Sequence, residues 1–216
     1  MTALANTQIQ QYQQQGYLSP LSFLGREEAR DYRQYFESVE QNPEYHNFSR
    51  PIEKYLRTGA QLVLPVMTEI ASKPAILDQV ASILGPNLLL YSAELFIKEA
   101  RTEAFVSWHQ DLTYWGLGET DHEVTAWIAL SEASVDAGCM RFIPGSHKKH
   151  IISHSDSFAG ANLLSRGQVV DATIDESDAV HVSLRPGQFS LHHDCCFTHQ
   201  RLINQQIEEL AWRCAM

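Results

Sequence analysis

Ten histidines and ten aspartates are spread through the 216 residues, and three pairs of them stand two apart: His109-Gln110-Asp111, His154-Ser155-Asp156 and His192-His193-Asp194. An imidazole and a carboxylate so spaced at a strand end can face the same side of a sheet. With a second imidazole from a distant strand they make the two-histidine, one-carboxylate facial set that holds non-haem iron(II) and leaves positions open for cosubstrate and oxygen. At these residue frequencies a chance triplet is unremarkable, so context decides. His109 and Asp111 follow the strand-like FVSW and have histidines far downstream, on late β-rich runs. His154 and Asp156 lie in a polar stretch, 147–167, that reads as solvated surface or a lid. His192 and Asp194 have only His199 behind them, too near in the chain to come from a separate wall of a barrel. The first triplet is the better metal candidate.

Elements able to carry such a site are visible in the pattern. Roughly the first 85 residues read as mainly helical, with Ala29, Tyr32, Tyr35, Phe36 and Val39 at helical intervals. Pro65 interrupts any single long helix around 62–70, and a further helix is punctuated by Ser72 as cap, Pro74 in the first turn and Gly85-Pro86 as stop. Beyond Pro86 the texture turns to short β-rich runs, expected near 88–99, 124–130, 140–143, 169–174, 179–184, 188–193 and 210–216, with GLGET, DAGC, PGSHKK and RPGQ as turns. Many short strands without intervening helices imply an antiparallel barrel or double-sheet jelly roll, not an α/β fold. The expected organisation is one α+β, mainly β domain over 1–216, with a helical part to about 86 packed on a jelly-roll core.

Composition narrows the partners. A formal charge of −10 argues against non-specific binding to nucleic acid or anionic membrane, without excluding an anionic substrate held by local cations. No apolar run reaches the roughly 18 residues of a membrane span, and the N-terminus has no basic start or apolar core of a secretory signal. Cys139, Cys195, Cys196 and Cys214 form neither a disulfide framework nor a C-x-x-C pattern. They read as incidental thiols of a reducing, cytoplasmic protein. The pair Cys195-Cys196, beside the site, is expected to be open to oxidation.

The ordered segments SWHQDLTYWGL, VTAWIALSEASVDAGCMRFIPGSHK and LRPGQFSLHH, with the opening QQYQQQGYLSPLSFLGREEA, resemble the phytanoyl-CoA dioxygenase family of iron(II)/2-oxoglutarate-dependent oxygenases over nearly the whole chain. The resemblance implies a double-stranded β-helix (jelly roll) core with N-terminal helices. It also implies Fe(II), 2-oxoglutarate as cosubstrate, O2 as oxidant, and hydroxylation coupled to decarboxylation of 2-oxoglutarate to succinate. His109 and Asp111 match its metal ligands, and Gln110 and Trp127 match positions lining the 2-oxoglutarate pocket. For the distal ligand, family members usually read His-His, four residues, then the ligand His followed by Gly-Ser, with an Asn five residues on. Here HHDCCFTHQRLIN has five residues after His193 and Gln200-Arg201 in place of Gly-Ser. The spacing to Asn204 favours His199, with His193 as the fallback. The family also anchors the far carboxylate of 2-oxoglutarate with an arginine about eleven residues after the distal histidine. Ungapped counting puts Glu208 and Glu209 there, whereas a slide of the last strand brings in Arg213.

An intact Asp111 favours hydroxylation, because related halogenases replace this carboxylate with a small residue. Two other readings compete: a jelly-roll protein that has lost catalysis and acts as a binding or regulatory module, and a metal-dependent hydrolase on the same ligands. The substrate is expected to be a small polar molecule. Trp108, Tyr114, Trp115 and Trp127 are read as core or pocket aromatics. His147 is read as a turn organiser, and Lys98 as a solvated strand end.

Overall fold

The β-rich region beyond Pro86 forms two facing antiparallel sheets in a computed structural model, which describes residues 3–42, 49, 51–98, 102–201 and 209–216, the strand at 209–215 as backbone. The strands are β1 (Tyr17–Ser22), β2 (Ser92–Lys98), β3 (Val106–His109), β4 (Val124–Ala129), β5 (Met140–Phe142), β6 (His154–Asp156), β7 (Gln168–Val170), β8 (Val180–Val182), β9 (Gln188–His193), β10 (Thr198–Gln200) and β11 (Glu209–Ala215). The larger sheet runs β1-β9-β4-β11-β2, the smaller β3-β10-β5-β8, and β6 pairs with β7 alone. This is the jelly-roll arrangement that many short strands and turn-rich connections imply.

The helices are α1 (Asn6–Gln15), α2 (Arg26–Gln41), α3 (Ile52–Leu56), α4 (Pro65–Ala71), α5 (Pro74–Leu84) and α6 (Leu112–Trp115). Helix α2 buries Ala29, Phe36 and Val39, the spacing of one apolar stripe. Phe36, Met67, Ile76 and Val80 from the helices join Leu95, Ile128, Phe189 and Leu191 from the larger sheet in one apolar cluster. A second cluster, including Trp127, Met140 and Phe142, fills the space between the sheets. Alternation along β4 explains the division: Ile128 faces the helices, Trp127 the interior.

Several expectations change. Pro65 opens α4, since a proline at the first position loses no helical bond. Ser72 closes α4 and Lys73 is the N-cap of α5. The helical part also supplies β1, missed because Pro20 argues against a strand. As an edge strand, β1 leaves that proline's missing N–H at no cost. The stretch 147–167 is not all loop, because β6 lies within it. Gly187, φ 87°, sits where a Cβ would run into the Leu24 carbonyl.

Lys98 corrects the sequence reading outright. It is fully buried, and its ammonium donates to the carbonyls of Gly138 and Arg201, both at 2.8 Å. It thereby ties the end of β2 to the smaller sheet. Lys98→Met is expected to lower unfolding free energy by about 2–4 kcal/mol, the scale of charge-assisted bonds whose buried partners are orphaned. Urea denaturation measures this, and a change below about 1 kcal/mol would remove the tie. No helix among the described residues is long and apolar enough to cross a membrane.

Candidate metal centre

β3 ends at His109 and the chain turns at once into α6, so His109 and Asp111 are presented together. Both are buried, with His109 Nε2 3.0 Å from Asp111 Oδ1. The imidazole's other nitrogen lies 2.8 Å from the Ser107 carbonyl, which can only accept. In a neutral ring Nδ1 therefore carries the proton, and Nε2 turns a lone pair toward a carboxylate oxygen. A cation between them resolves that opposition, and 3.0 Å is close to the edge joining adjacent ligands each ~2.1 Å from one ion. The donor set suits a first-row divalent metal such as iron(II). Both residues line a small cavity with Phe96, Trp127, Met140 and His199 among its walls.

Asp111 is held from behind. His192 Nε2 lies 3.1 Å from Asp111 Oδ2, and His192 Nδ1 has no partner among the described residues, so the proton sits on Nε2 and is donated to the carboxylate. Asp111, His192 and Asp194 are the group whose ligand atoms fall within 4.8 Å of one another. His192 and Asp194 do not border the cavity, however, and Asp194 already accepts from Thr125 Oγ1 at 2.7 Å and Trp115 Nε1 at 3.0 Å. Burial, then Glu123 and Asp111, pushes the Asp194 carboxyl well above its usual range. His192→Phe keeps the ring stacked near Phe142 but removes the bond to Asp111. It is expected to weaken Co(II) binding ~10–100-fold, the usual scale for losing a bond that orients a ligand. Calorimetric titration measures this, and an unchanged affinity would show that Asp111 needs no such support.

The two distal histidines are placed differently. Thr198 pairs with His109 and Gln200 with Val106, so Ser107 and Trp108 together oppose His199 across a bulge. Thr198 Oγ1 lies 3.1 Å from His109 Nε2. His199 lines the same cavity as His109 and Asp111, and its ring packs on Trp108 with centroids 4.9 Å apart, with Arg141 as its partner in register. Burial, followed by Arg141, lowers its pKa to about 4. His193 points the other way along β9, with its Nδ1 accepting from the Cys195 amide and its ring near Tyr12 and His147. His109, Asp111 and His199 all line one cavity, the first two with ligand atoms 3.0 Å apart and the third with its ring against Trp108.

The expected cosubstrate residues also divide. Trp127 lines the cavity. Gln110 does not. Its amide donates to the His150 and Cys195 carbonyls, at 2.7 and 2.8 Å, and accepts from the Ile152 amide at 2.9 Å, clasping the loop behind the site. Arg213 is described as backbone, paired with Trp127 on one side and Glu94 on the other. Glu209 pairs with Lys98, and Glu208 and Asn204 lie outside the described residues. His154 is half-buried, not solvated surface, and its Nε2 accepts from the Gln110 amide at 3.1 Å. Trp115 and Tyr114 bond Asp194 and Gln168, and His147 bonds the Gln13 carbonyl as a turn organiser would. Burial pushes the Cys195 and Cys196 thiols to about 12, leaving little thiolate to oxidise.

A family model described as phytanoyl-CoA dioxygenase (PhyH) matches residues 12–200. A phytanoyl-CoA dioxygenase domain-containing protein 1 homolog of Caenorhabditis elegans is 35% identical over 102 residues, 44% of this chain and 35% of that protein. The chain thus matches about a third of that relative's length. A probable alpha-ketoglutarate-dependent hypophosphite dioxygenase of Stutzerimonas stutzeri is 26% identical over 200 residues, 86% of this chain and 69% of that one. The solved structure of the non-heme monooxygenase ThoJ, in its apo form, superposes with a TM-score of 0.83 at 27% identity, covering 96% of this chain and 75% of its own.

Proposed function

This chain belongs to the phytanoyl-CoA dioxygenase family, and from that premise we propose that it is an iron(II)- and 2-oxoglutarate-dependent dioxygenase that hydroxylates a small molecule. The observation that carries the reading is that His109 Nε2 and Asp111 Oδ1 meet at 3.0 Å on the wall of a cavity. Iron held there would couple oxidative decarboxylation of 2-oxoglutarate, to succinate and carbon dioxide, to insertion of the second oxygen atom of O2 into a substrate C–H bond. The chain's own residues supply position and dryness. Ser107 sets the His109 tautomer, His192 aims Asp111, and Trp127, Phe96 and Met140 keep bulk water from the cavity.

For the substrate we favour a small anionic molecule. A cleft of about 1170 Å³, counted to its open mouth, shares Phe96 and Leu164 with the metal cavity. Lys54 and Arg57 stand on its rim against one carboxylate, Glu94. The charged lining thus sums to +1 where a substrate would enter, against −10 for the whole chain. The anion in the name of the Stutzerimonas relative points the same way. The test is anaerobic titration with iron(II) and 2-oxoglutarate, watching the visible charge-transfer band, then an aerobic screen of carboxylates and phosphorus oxyanions for succinate. Band and succinate together support the oxygenase. Metal binding without 2-oxoglutarate binding favours a hydrolase, and neither favours a binding module.

A further inference from the structure

We propose that Leu164 and Phe96 form a sieve of fixed width between the outer cleft and the metal cavity, selecting a substrate whose reacting end is an unbranched chain while any bulkier part stays in the cleft. The inference rests on the iron site and the entry cleft proposed above. Among the described residues, Phe96 and Leu164 are common to the linings of cleft and cavity, and both are half-buried. The two spaces also approach at Tyr114, which lines the cleft and turns its ring edge-on to the His109 imidazole, with centroids 5.7 Å apart. A molecule in the cleft is thus one side chain away from the metal wall, and the shared residues stand at the step between.

Both sides of the neck are held. Phe96 comes from β2, and its ring lies against Trp127 with centroids 5.1 Å apart. Leu164 comes from the loop 157–167, which is closed at its base: the Ser157 amide donates to the Gly167 carbonyl at 3.2 Å and the Phe158 amide to the Arg166 carbonyl at 3.0 Å. Its tip is stitched to the residue before β3. The Phe105 amide donates to the Ala161 carbonyl at 3.1 Å, and the Leu163 amide donates to the Phe105 carbonyl at 2.9 Å. The buried Asn162 side chain donates to Ser107 Oγ at 2.8 Å and accepts the Leu164 amide at 3.1 Å. Ser107 is also the residue whose carbonyl bonds His109, so one short segment places both Leu164 and the metal corner. Swinging Leu164 aside would orphan those buried groups, which makes the neck a sieve and not a flap. Two apolar side chains offer a passing molecule no polar partner, so they discriminate by cross-section. Charge is selected earlier, at Lys54 and Arg57.

The test uses Co(II)-loaded protein without 2-oxoglutarate, titrated with azide, a slim linear ion, and with imidazole, a flat ring, and followed in the visible Co(II) spectrum. Leu164→Ala is expected to tighten imidazole binding at least ~10-fold while azide stays within ~3-fold of the parent, the scale on which a pocket discriminates by size. Leu164→Trp should weaken azide ~10-fold by steric exclusion. Leu163→Ala, which widens the cleft alone, should change neither probe. Co(II) affinity by calorimetry should be the same in all of them. If Leu164→Ala keeps the parent's Co(II) affinity and binds imidazole no tighter, the sieve falls while the iron reading stands. An equal gain in Leu163→Ala would mean a general loosening of the loop, and would also overturn it. If the parent binds no Co(II), the metal site is misplaced and both fall.

Discussion

His109→Ala is expected to lower iron(II) and Co(II) affinity at least ~100-fold, beyond the usual cost of disturbing a residue that merely supports a ligand, and to abolish 2-oxoglutarate turnover. His109 Nε2 lies 3.0 Å from Asp111 Oδ1 on the cavity wall, and its Nδ1 lies 2.8 Å from the Ser107 carbonyl. Removing the ring takes away the imidazole that adjoins Asp111 and leaves a poorer set for iron(II). The fold should survive, because the ring borders a cavity and bonds no distant element except Thr198. The control is His154→Ala, which removes the acceptor for the Gln110 amide at 3.1 Å. That variant should lose on the order of 1 kcal/mol of stability while keeping its metal. Dialysis against iron(II) followed by metal analysis separates the two. A His154 variant that lost its metal while the His109 variant kept it would falsify the choice of triplet.

The jelly roll was legible because its strands announce themselves locally. VTAWIA is β-rich and bounded by turn residues, and RPGQ closes a hairpin-like return onto QFSLHH. Of the three-residue strands, β5, β7 and β8 coincide with β-rich runs and were legible, whereas β6 and β10 stand in polar or cysteine-containing stretches without one. Lys98 was misread for another reason. A strand-end lysine is usually solvated, and nothing local in LFIKEA tells that the Gly138 and Arg201 carbonyls, far along the chain, converge on it. Gln110, expected in the cosubstrate pocket, lies between two residues of the metal wall, and alternation along the chain turns its amide to the loop behind. His192 was legible only as one of two adjacent histidines, of which one had to point away. Its partner Asp111 is 81 positions earlier, a pairing no local pattern carries.

The second large effect is expected at Arg213. Substitution by Ala should raise the 2-oxoglutarate requirement at least ~100-fold, the ~3 kcal/mol scale of a lost bidentate arginine–carboxylate pair. Backbone register supports the choice. β11 lies between β2 and β4, and Arg213 pairs with Trp127, a wall of the metal cavity. Glu209, the anion that ungapped counting would put in its place, pairs with Lys98 four residues earlier on the strand, ~13 Å away at 3.3 Å per residue. Arg201, the other nearby cation, is committed to Glu176 at 3.1 Å, so Arg201→Ala should leave the requirement unchanged. Glu176 answers to it, with its carboxyl held down at about 2 by Arg141 and Arg201. Metal affinity measured without 2-oxoglutarate should be the same in Arg213→Ala and the parent, which separates cosubstrate anchoring from damage to the centre. Arg213→Lys should recover charge but not the planar fork, and so only part of the loss. A folded Arg213→Ala that saturates with 2-oxoglutarate at the parent's concentration would place the anchor on another residue, because a carboxylate desolvated in the cavity does not give up its only fork without weakening.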